Sequence, residues 1–502
     1  MKKIFKYIFL GSFIFSLASC TEYLNINTDP SVPQKTDATA IMPPVIYQMA
    51  RGESFDARFI GRYIQNYNVS NSSGDAFERF GYATGSDQMG EIWRTHYWSI
   101  GTNVDLILDD AKSKQNWDIV GAALAIRAWS WQTLTDYHGD VILKQAWEPN
   151  RYVFEYDSQE DVYAYVVKLC NESLDNLNRT DGIARLKLAD GVYQGDVARW
   201  KKFVYSILAR NANHLSNKTA LYKPDDVIKY CDLAMQTNTE SFGVPHSGTG
   251  SGDANFYGPL RNNFAAYRPC ATFVKLIDGT TFGGVKDPRM PFMIAPSRDT
   301  VFRGLPIYTA DPNVANSAKR VLNLWGLEPG ANAGTTGRYI FGDKAPHYII
   351  TAPEIQFIKA EAAFRKGDKP TAFAAFKQGI NLHSLFCGVK AADITAFIAS
   401  AALPQTADAL KMSDIMQQKY VALFGLGIIE TWVDMRRFKY DVNVYTTFVA
   451  PTGVLFFPDN NGKLAYRVRP RYNSEYVWNR ASLDKVGGNN LDYHTYETWI
   501  TK

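Results

Sequence analysis

Cysteine is scarce, with five in 502 residues and none in a Cys-x-x-Cys spacing. Structural zinc sites and redox pairs need that spacing, so the pattern excludes both. The seven histidines contain no His-x-x-x-His or His-Glu-x-x-His pair, which removes the usual helical metal site. No Gly-x-Ser-x-Gly elbow and no glycine-rich phosphate loop is present, so the common hydrolase and nucleotide-binding chemistries find no footing. Charge of one sign is also missing: 54 basic residues face 50 acidic ones and the two are interspersed. A nucleic-acid surface would need a basic excess on one face. Nothing in the sequence calls for a cofactor.

What is present begins at the amino end. Lys2, Lys3 and Lys6 precede an apolar stretch from Tyr7 to Phe15, followed by Ser16-Leu17-Ala18-Ser19-Cys20. A basic start, a short apolar core and small residues before a cleavage point describe a signal peptide. The run falls short of the roughly 20 residues a spanning helix needs. Leu17-Ala18-Ser19-Cys20 resembles a lipobox, which implies a signal peptide over 1–19 and lipidation of Cys20. Losing the three lysines takes the basic count from 54 to 51 against 50 acidic residues, close to neutrality. Cys170, Cys231, Cys270 and Cys387 lie far apart in a chain long enough to bury a core without disulfides, and are expected as free thiols.

Residues 20–44, polar and punctuated by Pro30, Pro33, Pro43 and Pro44, read as an extended arm. A single domain is expected over 45–502. Its scaffold spans 45–240 and 349–440, where apolar residues return every three or four positions: Ile46–Tyr63, Ile92–Leu108, Ile119–Tyr137, Ser158–Asn176, Ala198–Leu215 and Asp225–Gln236. Pro353–Lys366, a Gly367-Asp368 turn and Pro370–His383 read as a helix-turn-helix unit of tetratricopeptide type, with alanines where the helices would touch. Ser413–Phe438 reads as a helix bent at Gly425 and Gly427, and a short β element is expected at Val454–Phe457. The insertion 241–348 is rich in glycine, proline and aromatics, which suits functional loops. The fold class is all-α, a tetratricopeptide-like scaffold with a loop-rich ligand-binding face.

Several segments, in order, resemble the SusD/RagB family of outer-membrane nutrient-binding lipoproteins, specifically its SusD-like branch. They are Leu24-Asn25-Ile26-Asn27-Thr28-Asp29-Pro30, Ile126-Arg127-Ala128 leading to Asp136-Tyr137-His138-Gly139-Asp140, and Arg199-Trp200-Lys201-Lys202-Phe203. Asp287-Pro288-Arg289, Glu361-Ala362, Gln418-Lys419 through Asp434-Met435-Arg436-Arg437, and Arg469-Pro470-Arg471-Tyr472 with Glu475-Tyr476 complete the series. Most of these read as structural. Asp287-Pro288-Arg289 makes a turn with a carboxylate near a guanidinium, and Arg436 and Arg437 suit pinning of loop carbonyls.

The resemblance implies a lipid-anchored outer-membrane protein, exposed at the cell surface, that binds a nutrient and passes it to a SusC-like TonB-dependent transporter. An oligosaccharide is the first expectation and an oligopeptide, as on the RagB side, the alternative. Flat aromatic faces match the C–H faces of sugar rings while amides satisfy hydroxyls. Tyr67, Asn68, Asn71, Phe80 and Tyr82 in one loop, and Tyr257, Asn263, Tyr308 and Trp325 in the insertion, are the candidate ligand residues. Trp325, set among Gly326, Pro329 and Gly330, is the foremost of them. An enzyme, such as a helical glycoside hydrolase, would need a carboxylate pair across a cleft. Glu361, Glu430 and Asp434 fall instead in scaffold helices, so no catalytic residue is assigned. Asp311 and Asp343 do not form a calcium cage of the usual spacing.

Overall fold

The computed structural model describes residues 36–69, 75–332 and 334–502. Cys20 and Asn71 lie outside them. Helix α1, Ala38–Tyr63, begins inside the stretch expected as arm and includes Pro43 and Pro44. Asp37 caps it by accepting the Thr39 amide at 2.9 Å. Met42, Val45, Ile46 and Met49 are all buried, and their burial, at about 1.5–3 kcal/mol each, offsets the main-chain hydrogen bonds that the prolines cannot donate.

Glu91–Arg94 runs through a π-helical stretch, Thr95–Gly101, into α2, Thr102–Ser113. The scaffold follows as α3 (Trp117–His138), α4 (Gln159–Leu177), α5 (Val197–His214) and α6 (Pro224–Leu233). It resumes as α7 (Ala352–Lys366) and α8 (Lys369–Cys387). The pairs α3/α4, α5/α6 and α7/α8 each pack on the next, α4 against α5 and α6 against α7. Such a pair buries its second face only by stacking on a neighbour. Trp131 and Trp200 are accordingly buried.

The α7/α8 unit shows how local residues set this geometry. Gly367 ends α7 in the left-handed region, φ 87°, where other residues are strained. Asp368 then caps α8 through the Thr371 amide at 3.2 Å. Where the helices meet, a Cβ on Gly379 would stand 2.8 Å from the Phe357 ring, so a larger residue would push them apart.

After α9 (Ala391–Ile398), the segment expected as one bent helix is two, α10 (Met412–Ala422) and α11 (Ile428–Arg437). Gly425 breaks them at φ 71°, and a Cβ there would meet Ile340 at 2.7 Å. The expected β element at Val454–Phe457 is a 3-10 turn, Gly453–Leu455. It has no partner strand, and a β conformation is not stable unpaired. The strands are short: β1 (Tyr67–Val69) pairs antiparallel with β3 (Tyr267–Pro269), and β2 (Phe242–Val244) with β4 (His347–Ile350). The first ladder ties the segment between α6 and α7 to the chain that follows α1, and the second closes the two ends of that segment on each other. Arg289 donates to Asp287 at 2.9 Å, and Arg436 donates to the carbonyls of Tyr466 at 2.8 Å and Asp136 at 2.6 Å.

A buried ion network joins α5, α7, α10 and α11. Lys419 lies 2.9 Å from Glu430 and 2.7 Å from Asp434. Arg437 lies 2.9 Å from Glu361 and 2.6 Å from Asp434. His214 lies 3.0 Å from Glu430, and Arg210 donates to Glu354 at 2.7 Å. The carboxylates once weighed as a hydrolase pair are therefore matched by cations and sealed from solvent. Burial pushes the Glu361 carboxyl upward, but Arg437 and Arg365 outweigh it and hold it below the ordinary range. Burial would likewise discharge His214, yet Glu430 and Asp136 raise it to about 9.

Elsewhere in the core, burial raises Asp56 to about 8. Both shifts act in one direction on the alkaline side. A group with a raised folded pKa stabilises fully below its unfolded value, and that contribution fades as pH climbs through the folded one. The His214 contribution is complete below about pH 6.5 and lost by about 9; that of Asp56 fades from about 4 to about 8. Stability to urea is therefore expected to fall between pH 6.5 and 8, by up to ~1.4 kcal/mol per pH unit for each group. Asp56→Asn should flatten this slope, and an unchanged slope in that variant would show that Asp56 is ionised in the folded protein.

Candidate ligand cleft

A cleft of about 210 Å³ opens between the loop 82–90 and the segment 467–494. The first wall is positioned by remote side chains that close on its backbone. Phe80 takes a left-handed φ of 62° and stacks on Tyr63 at 5.0 Å. A Cβ on the next residue, Gly81, would fall 2.2 Å from Phe457. Asn460 clasps the Phe80 carbonyl at 3.0 Å. Tyr82 therefore emerges at a fixed place, half-buried, its hydroxyl donating to Asp459 at 2.7 Å.

The second wall is built on arginines. Arg467 is buried, held by the Tyr493 hydroxyl at 2.9 Å and the carbonyls of Tyr496 at 3.0 Å and Glu497 at 2.9 Å. Arg469 donates to the carbonyls of Gly488 at 3.0 Å, Asn490 at 2.9 Å and Leu491 at 3.0 Å. Its guanidinium lies 4.5 Å from the Tyr82 ring and 5.1 Å from that of Tyr476. Tyr476 in turn stacks on Tyr472 at 5.6 Å, with planes 13° apart. Arg471 reaches across to Asp87 at 2.7 Å and joins the walls. At the floor, burial drives the His494 imidazole down to about 3, so it is neutral at pH 7, and its Nε2–H donates to the Asn460 side-chain oxygen at 2.7 Å. Thr84, Ser86, Gln88 and Asn489 supply hydroxyls and amides around the aromatic faces. Rings flanked by such groups can take the apolar face of a sugar while satisfying its hydroxyls.

Of the candidate residues read from sequence, Tyr82 lines this cleft. The others described here do not. Trp325, expected at the ligand, is 3% exposed and its indole N–H donates to the Tyr257 carbonyl at 2.8 Å. Tyr257, Phe80 and Tyr67 are equally enclosed, and the Tyr67 hydroxyl is spent on the Ala57 carbonyl at 2.8 Å. Tyr308 is buried beside Val449, whose carbonyl accepts its hydroxyl at 3.3 Å. Asn68 is buried in β1, its side-chain oxygen accepting the Val69 amide at 2.8 Å. Asn263 is half-buried and donates to the Phe256 carbonyl at 3.2 Å. In this arrangement the aromatic rings pack against protein, because a loop-rich segment of this size needs its own apolar core. Asp311 pairs with Arg268 at 3.0 Å and Asp343 accepts the Leu260 amide at 2.8 Å.

Sequence reasoning reads Arg469, Tyr472 and Tyr476 as parts of closing structural motifs and does not single out Arg480. The available signal was density: Tyr466, Tyr472, Tyr476, Tyr493 and Tyr496 interleave with Arg467, Arg469, Arg471 and Arg480 within one irregular stretch. Aromatics and arginines clustered together point to recognition more than to core.

Stacked helix pairs bearing a loop-built cleft define a tetratricopeptide-like helical protein. The chain belongs to the SusD-like family: the SusD-like_2 family, described as starch-binding associating with outer membrane, matches residues 30–448. A SusD homolog from Bacteroides uniformis shares the fold at a TM-score of 0.72 and 17% identity, over 93% of this chain and 99% of that one. A chitin-binding SusD homolog from Flavobacterium johnsoniae aligns at 0.69 and 18%, over 93% and 96%. A SusD/RagB family protein from Bacteroides thetaiotaomicron aligns at 0.69 and 20%, over 93% and 99%. No curated protein matches the chain. Among the described residues, no helix is long and apolar enough to cross a membrane.

Proposed function

We propose that this protein is a lipoprotein of the outer cell surface, anchored through Cys20, that binds an oligosaccharide between Tyr82 and Tyr476 and delivers it to a SusC-like TonB-dependent transporter. The observation that carries the binding reading is the cleft itself: tyrosine faces held by arginine, with hydroxyl and amide groups around them. Membership of a family described as starch-binding supports the ligand class, and the chitin-binding relative supports it independently. The candidate carboxylates of a hydrolase are sealed in the core, which favours binding over turnover.

Calorimetry with malto- and chito-oligosaccharides tests this reading. Tyr82→Ala and Tyr476→Ala are each expected to weaken binding about tenfold or more, the scale of a lost ring face of ~1–2 kcal/mol. Unchanged affinity in both variants would move the site away from this cleft. Transporter and lipoprotein are expected to purify together in mild detergent, and recovery of the lipoprotein alone would count against the delivery step.

A further inference from the structure

The cleft is unevenly charged. Four arginines line it, Arg467, Arg469, Arg471 and Arg480, and no aspartate or glutamate does. Two of them have acidic partners: Arg471 pairs with Asp87 at 2.7 Å, and Arg467 lies 3.6 Å from Asp140. Arg469 has none among the described residues. Its hydrogen bonds go to three carbonyls, which orient the guanidinium but do not cancel its charge. The rings of Tyr82 and Tyr476 attract it through their π faces and also leave the charge in place. Arg480 is exposed at the rim and forms no ion pair among the described residues. The Asp459 carboxylate accepts the Tyr82 hydroxyl at 2.7 Å.

Two uncancelled guanidinium groups therefore face a space walled by tyrosines. A neutral sugar leaves that charge unused. We infer that the ligand of this cleft is an acidic oligosaccharide, whose carboxylate or sulfate meets Arg469 and Arg480 while a ring of the same chain packs on Tyr476. Guanidinium forks match both anions with paired N–H donors, and such charge-assisted bonds are about twice as strong as neutral ones. Arg469 is already oriented by the carbonyls it donates to, so little of its freedom remains to be lost on binding. The inference rests on the cleft being the glycan site.

The test compares the full chain in mild detergent against oligogalacturonate, a chondroitin sulfate oligosaccharide, chitohexaose and maltohexaose by calorimetry at low and high salt. Arg480→Gln is the informative variant, because its exposed side chain holds no other part of the protein. At least one acidic probe is expected to bind about tenfold or more tightly than either neutral one. That preference should shrink in high salt and fall about tenfold in Arg480→Gln. The two acidic probes separate carboxylate from sulfate recognition. Neutral probes that bind as tightly as acidic ones, with Arg480→Gln silent, would overturn the charge inference and leave glycan binding standing. No binding of any of the four glycans would overturn both.

Discussion

Arg437→Ala is expected to lose about 3–5 kcal/mol of stability, the cost of leaving a buried carboxylate without its cation. Arg437 meets Glu361 at 2.9 Å and Asp434 at 2.6 Å, and neither end of the Glu361 pair is exposed to water. Removing the guanidinium leaves the buried Lys419 on Asp434 and only the partly exposed Arg365 on Glu361. The same pair replaced on both sides, Arg437→Met with Glu361→Leu, should lose much less, because no charge is then stranded. Urea denaturation of both variants at pH 7 reads the difference. Equal losses would mean that the site responds to lost packing volume, and a loss below ~1 kcal/mol in Arg437→Ala would mean that the remaining cations suffice.

Trp325→Ala should cost about 3–5 kcal/mol as well, by a different route: an emptied cavity and a lost hydrogen bond. The indole fills space within the loop-rich segment and donates to the Tyr257 carbonyl at 2.8 Å. The Tyr257 ring rests against Phe264 at 4.8 Å and Phe341 at 5.5 Å, so the hole would reach the centre of that cluster. Trp325→Phe keeps part of the volume and should lose less. Oligosaccharide affinity measured on protein that remains folded should be unchanged in both. A folded Trp325→Ala of near-normal stability that no longer binds ligand would restore the tryptophan as a contact residue and displace the Tyr82–Tyr476 cleft.

The two predictions mark the boundary between what short-range pattern reveals and what it hides. The helices were legible because an amphipathic helix repeats its apolar residues every three or four positions, within a window a reader can scan. Caps and stops were legible for the same reason: Gly367 and Asp368 act within a few residues of themselves, and so does the Asp287–Arg289 turn. Pro43 and Pro44 misled because their local preference was outweighed by the burial of Met42, Val45, Ile46 and Met49. That burial depends on partners distant in the chain.

The amino-acid sequence by itself determined the all-helical class, the paired-helix scaffold and the kinship with SusD-like proteins. Tertiary structure alone decided which aromatics face solvent. A tryptophan among glycines and prolines has the same sequence signature whether it caps a buried cluster or lines a surface, since irregular segments carry no periodicity to tell inside from outside. The cleft was hidden for a second reason: Asp87 and Arg471, which join its walls, are 384 positions apart. Contacts of that span are set by how the stacked helix pairs bring the ends of the chain together, and no local pattern encodes them.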